Sequence, residues 1–181
     1  YEIGQPTHCY DASCLNLEED IVLENACQNE GKFMTLFNEE VEIDKRDLVF
    51  KNDGEIINIA GVIGGKNTSC SIDTIDVLIE CAYFKPESII GRSQKYNIQS
   101  DAAYKFERGV DPLCHDFALS RFIEIVRDHV VIENISIFSD KDQEQRKLEL
   151  EFNVKKINKI LGINISEDVY KNLFTRSSIK L

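Results

Sequence analysis

The stretch Ser100-Asp-Ala-Ala-Tyr-Lys-Phe-Glu-Arg-Gly-Val-Asp-Pro112 carries an unusual density of helix start and stop signals. The Ser100 hydroxyl is placed to cap the free N–H groups of a helix opened by Asp101-Ala102-Ala103. Gly109 stands where a left-handed residue ends a helix. Asp111 then caps a second helix, with Pro112 at its first position, where the missing N–H costs nothing. On local physics alone this is a tightly fixed helix–turn–helix connector.

Working outward, the flanking sequence divides into strands before the connector and helix after it. Ile21–Ala26 reads as a short strand. Phe33–Leu36 and Glu40–Ile43 flank a turn at Asn38. Leu48-Val49-Phe50 and Ile56–Ala60 flank Asn52-Asp53-Gly54, and Asp-Gly between two such runs predicts a hairpin. Val77–Tyr83 is almost continuously apolar, as in a buried central strand, with Glu80 alone inside it. Pro86–Ser93 opens a helix with Pro early and Glu in the first turn. The helix after Asp111 runs to about His129, with Phe117, Leu119, Phe122, Ile123, Ile125 and Val126 as a core stripe. Val130–Ile132 and Ile135–Phe138 read as strands.

Ser139–Lys147 is polar and charged, the best linker candidate. Beyond it Leu148–Phe152 alternates as a strand. Val154, Ile157, Ile160 and Leu161 form a helical face stopped by Gly162, and Ser166 starts a helix to about Phe174. The expected fold is α/β in the α+β sense: a mixed, mostly antiparallel sheet with packed helices (1–140), a linker (141–147) and the start of a second small α/β module (148–181).

The bulk numbers narrow the function. An apolar content of 43% over 181 residues supports a packed core. No apolar run approaches the ~20 residues of a membrane span, so no membrane partner is expected. Tyr1-Glu2-Ile3-Gly4 has neither the basic start nor the apolar core of a signal peptide. It lacks Met, so residue 1 reads as a cut within a longer chain. The six cysteines show no CxxC pair and no histidine cluster, which argues against zinc or a disulfide scaffold. They read as small, reduced core residues of a cytoplasmic protein. A net charge of −11 opposes wrapping of nucleic acid, whose phosphates need Lys and Arg.

Four strings, taken in order, resemble the bacterial phenylalanyl-tRNA synthetase β-subunit family. Gly4-Gln5-Pro6-Thr7-His8-Cys9-Tyr10-Asp11 is similar to its GQPLHAFD, and Ala60-Gly61-Val62-Ile63-Gly64-Gly65 to its AGVMGG. Leu78–Pro86 is similar to its LLESAFFDP, and residues 101–112 to its DASHRFERGVDP. The resemblance covers residues 1 to about 130. It implies a tRNA-editing module that hydrolyses tyrosine wrongly attached to tRNA-Phe, inside an enzyme that joins phenylalanine to that tRNA. It further implies an α-subunit partner in an α2β2 tetramer, with ATP and Mg2+ used by the whole enzyme and no cofactor in this fragment. The acidic charge then restricts tRNA contact to the acceptor end and its aminoacyl group.

The resemblance also suggests site residues. A lone strand Glu is most often solvated, but the residue matching Glu80 accepts a hydrogen bond from the tyrosine hydroxyl. A site built around that bond leaves a buried polar group unpaired when phenylalanine binds. The residue matching Gly64 lines the pocket. Beside it, Gly64-Gly65 is either a plain turn or a place where a ligand ring lies against bare backbone. His8, the catalytic candidate, helps place the substrate. Ser100 and Ala102 match the pocket wall, and a larger side chain at 102 should fill the cavity. The string departs at Ala103-Tyr104, where the family has Ser-His, at Lys105 for Arg and at Ser100 for Thr.

No Ser-His-Asp or Cys-His set is evident, so the expected chemistry is attack by a positioned water, with N–H groups near Gly64-Gly65 as oxyanion donors. A non-catalytic structural or tRNA-contacting scaffold domain is the competing expectation.

Overall fold

Asp53 and Gly54 turn the chain with positive φ at both positions, 51° and 78°, the backbone of a type I′ hairpin. In the computed structural model, which describes residues 2–28, 30–139 and 150–179, this hairpin lies in the first of two units, Tyr1–Ile137 and Phe138–Leu181. The strands are β1 (His8–Asp11), β2 (Ile21–Asn25), β3 (Lys32–Met34), β4 (Glu40–Glu42), β5 (Leu48–Asn52), β6 (Glu55–Ile59), β7 (Ile63–Gly64) and β8 (Val77–Glu80). The first unit's helices are α1 (Pro86–Ile89), α2 (Arg92–Tyr96), α3 (Asp101–Phe106) and α4 (His115–Arg127).

Among the described residues every strand pair is antiparallel. β2-β5-β6-β7 form one sheet, while β1-β8 and β3-β4 form two-stranded sheets. Single bridges link Tyr10 of β1 to Ser69, and Thr35, just past β3, to Gly65, just past β7. Helices and antiparallel sheets together make the expected α+β fold. Val49, Ile59, Ala60 and Val62 pack with Phe84, Ile89, Ile98, Ala103 and Phe106 in the main core. The Phe84 and Phe106 rings meet edge to face with centroids 4.8 Å apart, a geometry aromatic quadrupoles favour.

The connector behaves as predicted in its first half. Ser100 Oγ accepts from the Ala103 N–H at 3.1 Å and donates to the Val62 carbonyl at 2.7 Å. Gly109 takes φ 89° just past α3. The second half differs. Asp111 Oδ1 accepts from the Leu113 N–H at 2.9 Å, so Asp111-Pro112 form a side-chain-closed turn. The helix begins only at His115.

Other expectations are corrected. The Pro86–Ser93 helix is broken at Gly91, φ 79°, into α1 and α2. Only Ala118 of α4 is buried, and Phe117 of the expected core stripe is 66% exposed. Residues 131–138 form no strand, and among the described residues no strand pairs with their apolar run. β8 is half-buried and pairs with β1 alone, so it is not a central strand. No cysteine is fully buried: Cys14, Cys27 and Cys70 are exposed and the other three half-buried.

In the second unit, α5 (Val154–Leu161) starts at Asn153, whose side chain accepts from the Lys156 N–H at 3.0 Å, and ends at Gly162. Helix α6 (Glu167–Arg176) follows Ser166. Phe152 packs on Tyr170 and Phe174, with centroids 5.1 and 4.7 Å away. Residues 150–152 are not in a strand. The linker expected at 141–147 and the strand start at Leu148 lie outside the described residues.

A buried carboxylate fastens α2 to the loop between β4 and β5. Asp47 is fully buried. It accepts from the Asp44 N–H at 2.7 Å, Arg92 Nη1 at 3.3 Å, Lys95 Nζ at 3.4 Å and the Tyr96 hydroxyl. Removing one partner of such a cluster strands the others without water. Asp47→Ala is expected to cost about 3–5 kcal/mol in chemical denaturation, and an unchanged unfolding midpoint would refute that role.

Candidate functional site

The β1–β8 ladder sets His8 directly opposite Glu80. Tyr10 lies two residues further along β1, so alternation places it on the same face. Its hydroxyl donates to Glu80 Oε2 at 2.6 Å. Asn58, from β6, donates through Nδ2 to the Tyr10 hydroxyl oxygen at 2.8 Å and to Glu80 Oε2 at 3.3 Å. Both donors therefore converge on one carboxylate oxygen. The His8 and Tyr10 rings meet edge to face at 4.5 Å.

Asn58 is also the register partner of Gly64 on β7, and this brings Gly64 under the histidine. A Cβ at Gly64 would lie 2.2 Å from His8 Cε1 and 2.4 Å from Nε2, well inside van der Waals contact. The ring lying against bare backbone at Gly64 is thus His8's own imidazole. Gly64 sits in a short strand, not in a turn after a longer one.

Burial sets the protonation of the group. Glu80 is pushed up to about 7, chiefly by desolvation, and the Tyr10 hydrogen bond acts in the opposite direction. The Tyr10 hydroxyl is driven far above its ordinary value, first by burial and then by Glu80, so it stays a donor. Burial lowers His8. A neutral imidazole keeps one nitrogen lone pair, and His8 Nε2 is buried without a partner, as is Asn58 Oδ1. The site thus offers a carboxyl near its titration point, an unpartnered imidazole nitrogen and an unpartnered amide oxygen.

The other predicted residues stand differently. The Ser100 hydroxyl is occupied at both ends, by Val62 and Ala103. It braces the chain just ahead of β7. Ala102 is half-buried and packs against the main core. The Gly65 N–H, expected as an oxyanion donor, is taken by the Ile57 carbonyl at 2.8 Å. The structure therefore joins His8, Gly64 and Glu80, with Gly65 and Ser100 as neighbours in the chain path. Tyr10 and Asn58 are the members that sequence reading missed. Nothing in the local sequence marks either: no strand is read around Tyr10, and Asn58 stands inside an apolar run. Among the described residues no group of three or more His, Cys, Asp or Glu is arranged to hold a metal. No helix there is long and apolar enough to cross a membrane.

The four strings converge on this region. Gln5 Nε2 donates to the Ala82 carbonyl at 2.8 Å. Gly61 presses against Phe84 and Phe106, with a Cβ there only 2.9 Å from Phe84 Cδ2. The Cys114 thiol reaches Gln5 Oε1 at 3.4 Å. The model of the B3/4 domain matches residues 1–130. The chain belongs to the B3/4 domain family. It is 32% identical over its whole length to the phenylalanine–tRNA ligase β subunit of Fusobacterium nucleatum. It is 33% identical to that of Francisella tularensis over 89% of the chain, and 28% identical to that of Burkholderia pseudomallei over 97%. It spans about a fifth of these relatives, 22%, 20% and 21% of their lengths. The family that the four strings resemble is the one whose β subunits the chain matches, over the stretch that the B3/4 domain model covers.

Two outcomes follow from the geometry of the B3/4 domain. Gly64→Ala drives a methyl into the His8 ring and should lower stability by about 1–3 kcal/mol, read by denaturation. An unchanged midpoint would show that His8 swings away freely. For Glu80, the folded value of about 7 exceeds the ordinary 4.5. The folded state therefore holds an extra proton between those values. The stability this lends is present below pH 4.5 and lost as pH rises through about 7. Relative to Glu80→Gln, the native domain should lose up to about 3 kcal/mol between pH 4.5 and 8. Parallel stability curves would contradict the burial argument.

Proposed function

We propose that the B3/4 domain is the editing part of a phenylalanine–tRNA ligase β subunit, hydrolysing tyrosine mischarged on tRNA-Phe. The observation that carries this reading is the contact made by Tyr10. Glu80 accepts a hydrogen bond from a tyrosine phenol at 2.6 Å, the same chemistry that would select a tyrosyl over a phenylalanyl ester. A phenylalanyl ring leaves that demand unmet, and such buried mismatches discriminate strongly.

The reaction is an ester hydrolysis. A water oxygen bonds to the carbonyl carbon joining tyrosine to the terminal ribose. The tetrahedral intermediate then expels the ribose oxygen, which leaves with a proton. His8, neutral and with an unpartnered nitrogen, is the group that places the water or the ester. Glu80 holds the phenol, and the Gly64 backbone keeps the imidazole in position. The ribose hydroxyl of the terminal adenosine assists. Proximity supplies much of the barrier reduction.

The remaining roles extend the same proposal. The whole ligase would pair this subunit with an α subunit in an α2β2 tetramer and use ATP and Mg2+ to charge tRNA-Phe in the cytoplasm. This chain would meet only the acceptor end, since its net charge of −11 repels the phosphate backbone. The second unit would begin the next β-subunit module.

One observation favours the scaffold alternative. The chain's own His8 ring lies against Gly64 and its own Tyr10 phenol takes one oxygen of Glu80, so Gly64 is closed to a substrate ring and the carboxylate already has a partner. Deacylation of Tyr-tRNA-Phe by the full ligase separates the readings. His8→Ala and Glu80→Ala should each slow it by about 100-fold or more, with Phe-tRNA-Phe spared in the native enzyme. Unchanged deacylation in both variants would leave the scaffold role.

A further inference from the structure

The geometry points to Tyr10 and Asn58 as positioning residues that hold Glu80 Oε2, leaving Oε1 to accept the substrate phenol; the inference rests on the editing reading above.

The hydrogen-bond pattern is asymmetric. Tyr10 and Asn58 both donate to Oε2, at 2.6 and 3.3 Å, and Asn58 also steadies the Tyr10 hydroxyl at 2.8 Å. Glu80 itself is half-buried, whereas Tyr10 is 1% exposed and Asn58 is buried. The pair forms a closed back wall, with the carboxyl standing in front of it. A carboxylate fixed through one oxygen presents the other in a set direction, which is what selective recognition of one hydroxyl requires.

The donors also govern charge. Among the described residues, the surroundings of Glu80 supply no cation. β1 contributes neutral His8 and the Tyr10 hydroxyl, β6 contributes Asn58, and the neighbouring Cys81 thiol is itself pushed up to about 11, mainly by burial. Hydrogen bonding is therefore the force opposing desolvation of the carboxylate, and the Tyr10 hydroxyl is the contributor acting in that direction. Without it the carboxyl would remain protonated to higher pH and accept a phenol less well. This hydroxyl belongs to the chain in hand: the string GQPLHAFD, which residues 4–11 resemble, ends in Phe-Asp where the chain has Tyr10-Asp11.

The test is the pH dependence of deacylation in the full ligase, corrected for uncatalysed ester loss. Native, Tyr10→Phe, Asn58→Ala and Glu80→Gln enzymes are compared on Tyr-tRNA-Phe. Tyr10→Phe should move the acid limb of kcat/KM upward by about one pH unit. It should then be about 5–10-fold slower than native near pH 6.5 and within about twofold near pH 8.5, while Glu80→Gln loses that limb altogether. Asn58→Ala should shift the limb in the same direction by a smaller amount. Native and Tyr10→Phe profiles that superimpose would overturn the inference while leaving editing intact. A native ligase that fails to release tyrosine, or one insensitive to Glu80→Gln, would overturn the editing reading and this inference with it. A Tyr10→Phe defect of equal size at every pH would show a packing role and also overturn it.

Discussion

The antiparallel pairing of β1 with β8 joins stretches of chain 70 residues apart, and the site exists only because that ladder forms. Its register sets His8 across from Glu80 and brings Tyr10 to the same carboxylate. A slip of one residue would turn all three side chains to the other face. The ladder is short, so its register needs outside support. Gln5 ties its start to the Ala82 carbonyl beyond β8, and Tyr10 bridges to Ser69. On the second side, β6 and β7 bring Asn58 and Gly64 beneath it. The two sheets therefore meet at a point where one residue has no side chain and its neighbour across the ladder has an amide.

The domain handles the carboxylates of Asp47 and Glu80 in opposite ways. Asp47 is surrounded by an arginine, a lysine, a tyrosine hydroxyl and a backbone N–H. Burial costs such an anion least when every lone pair has a donor. Glu80 has neutral donors only, both on one oxygen. The first arrangement suits a fixed joint between α2 and its loop. The second leaves charge and one oxygen adjustable, which makes sense for a group whose partner arrives and departs.

Local chemistry was legible in the sequence and long-range pairing was not. Asp53-Gly54 and Asn38 announced their turns because backbone angles there are limited by residue type, and Ser100 announced its cap because the bond spans three residues. The apolar runs at Val130–Ile132 and Ile135–Phe138 misled, since β-branched residues fit a strand only when another strand is beside them. Val77–Tyr83 misled more subtly: nearly continuous apolar character suggested burial on both faces, yet the strand stops at Glu80 and pairs only in a two-stranded ladder. In the site, Glu80 stood out as an acid in an apolar strand. Its partners Tyr10 and Asn58 did not, because each is an ordinary strand residue until the register is known.

The connector that decided the reading divides along the same line between inward and outward residues. Its inward side chains, Ala103 and Phe106, are buried in the core, and Phe106 meets Phe84 next to β8. At Tyr104, where the chain differs from the string it resembles, the side chain is 60% exposed. The Arg108 guanidinium lies over its ring, 3.6 Å from the centroid, a cation–π contact suited to a surface. The replacement of Ser by Ala at 103 is absorbed by packing, and that of His by Tyr at 104 by stacking on the next turn. Neither changes the Ser100 brace that holds Val62 ahead of Gly64. The departure at Tyr104 therefore alters what the connector shows to solvent, while the one at Ala103 is taken up inside the core.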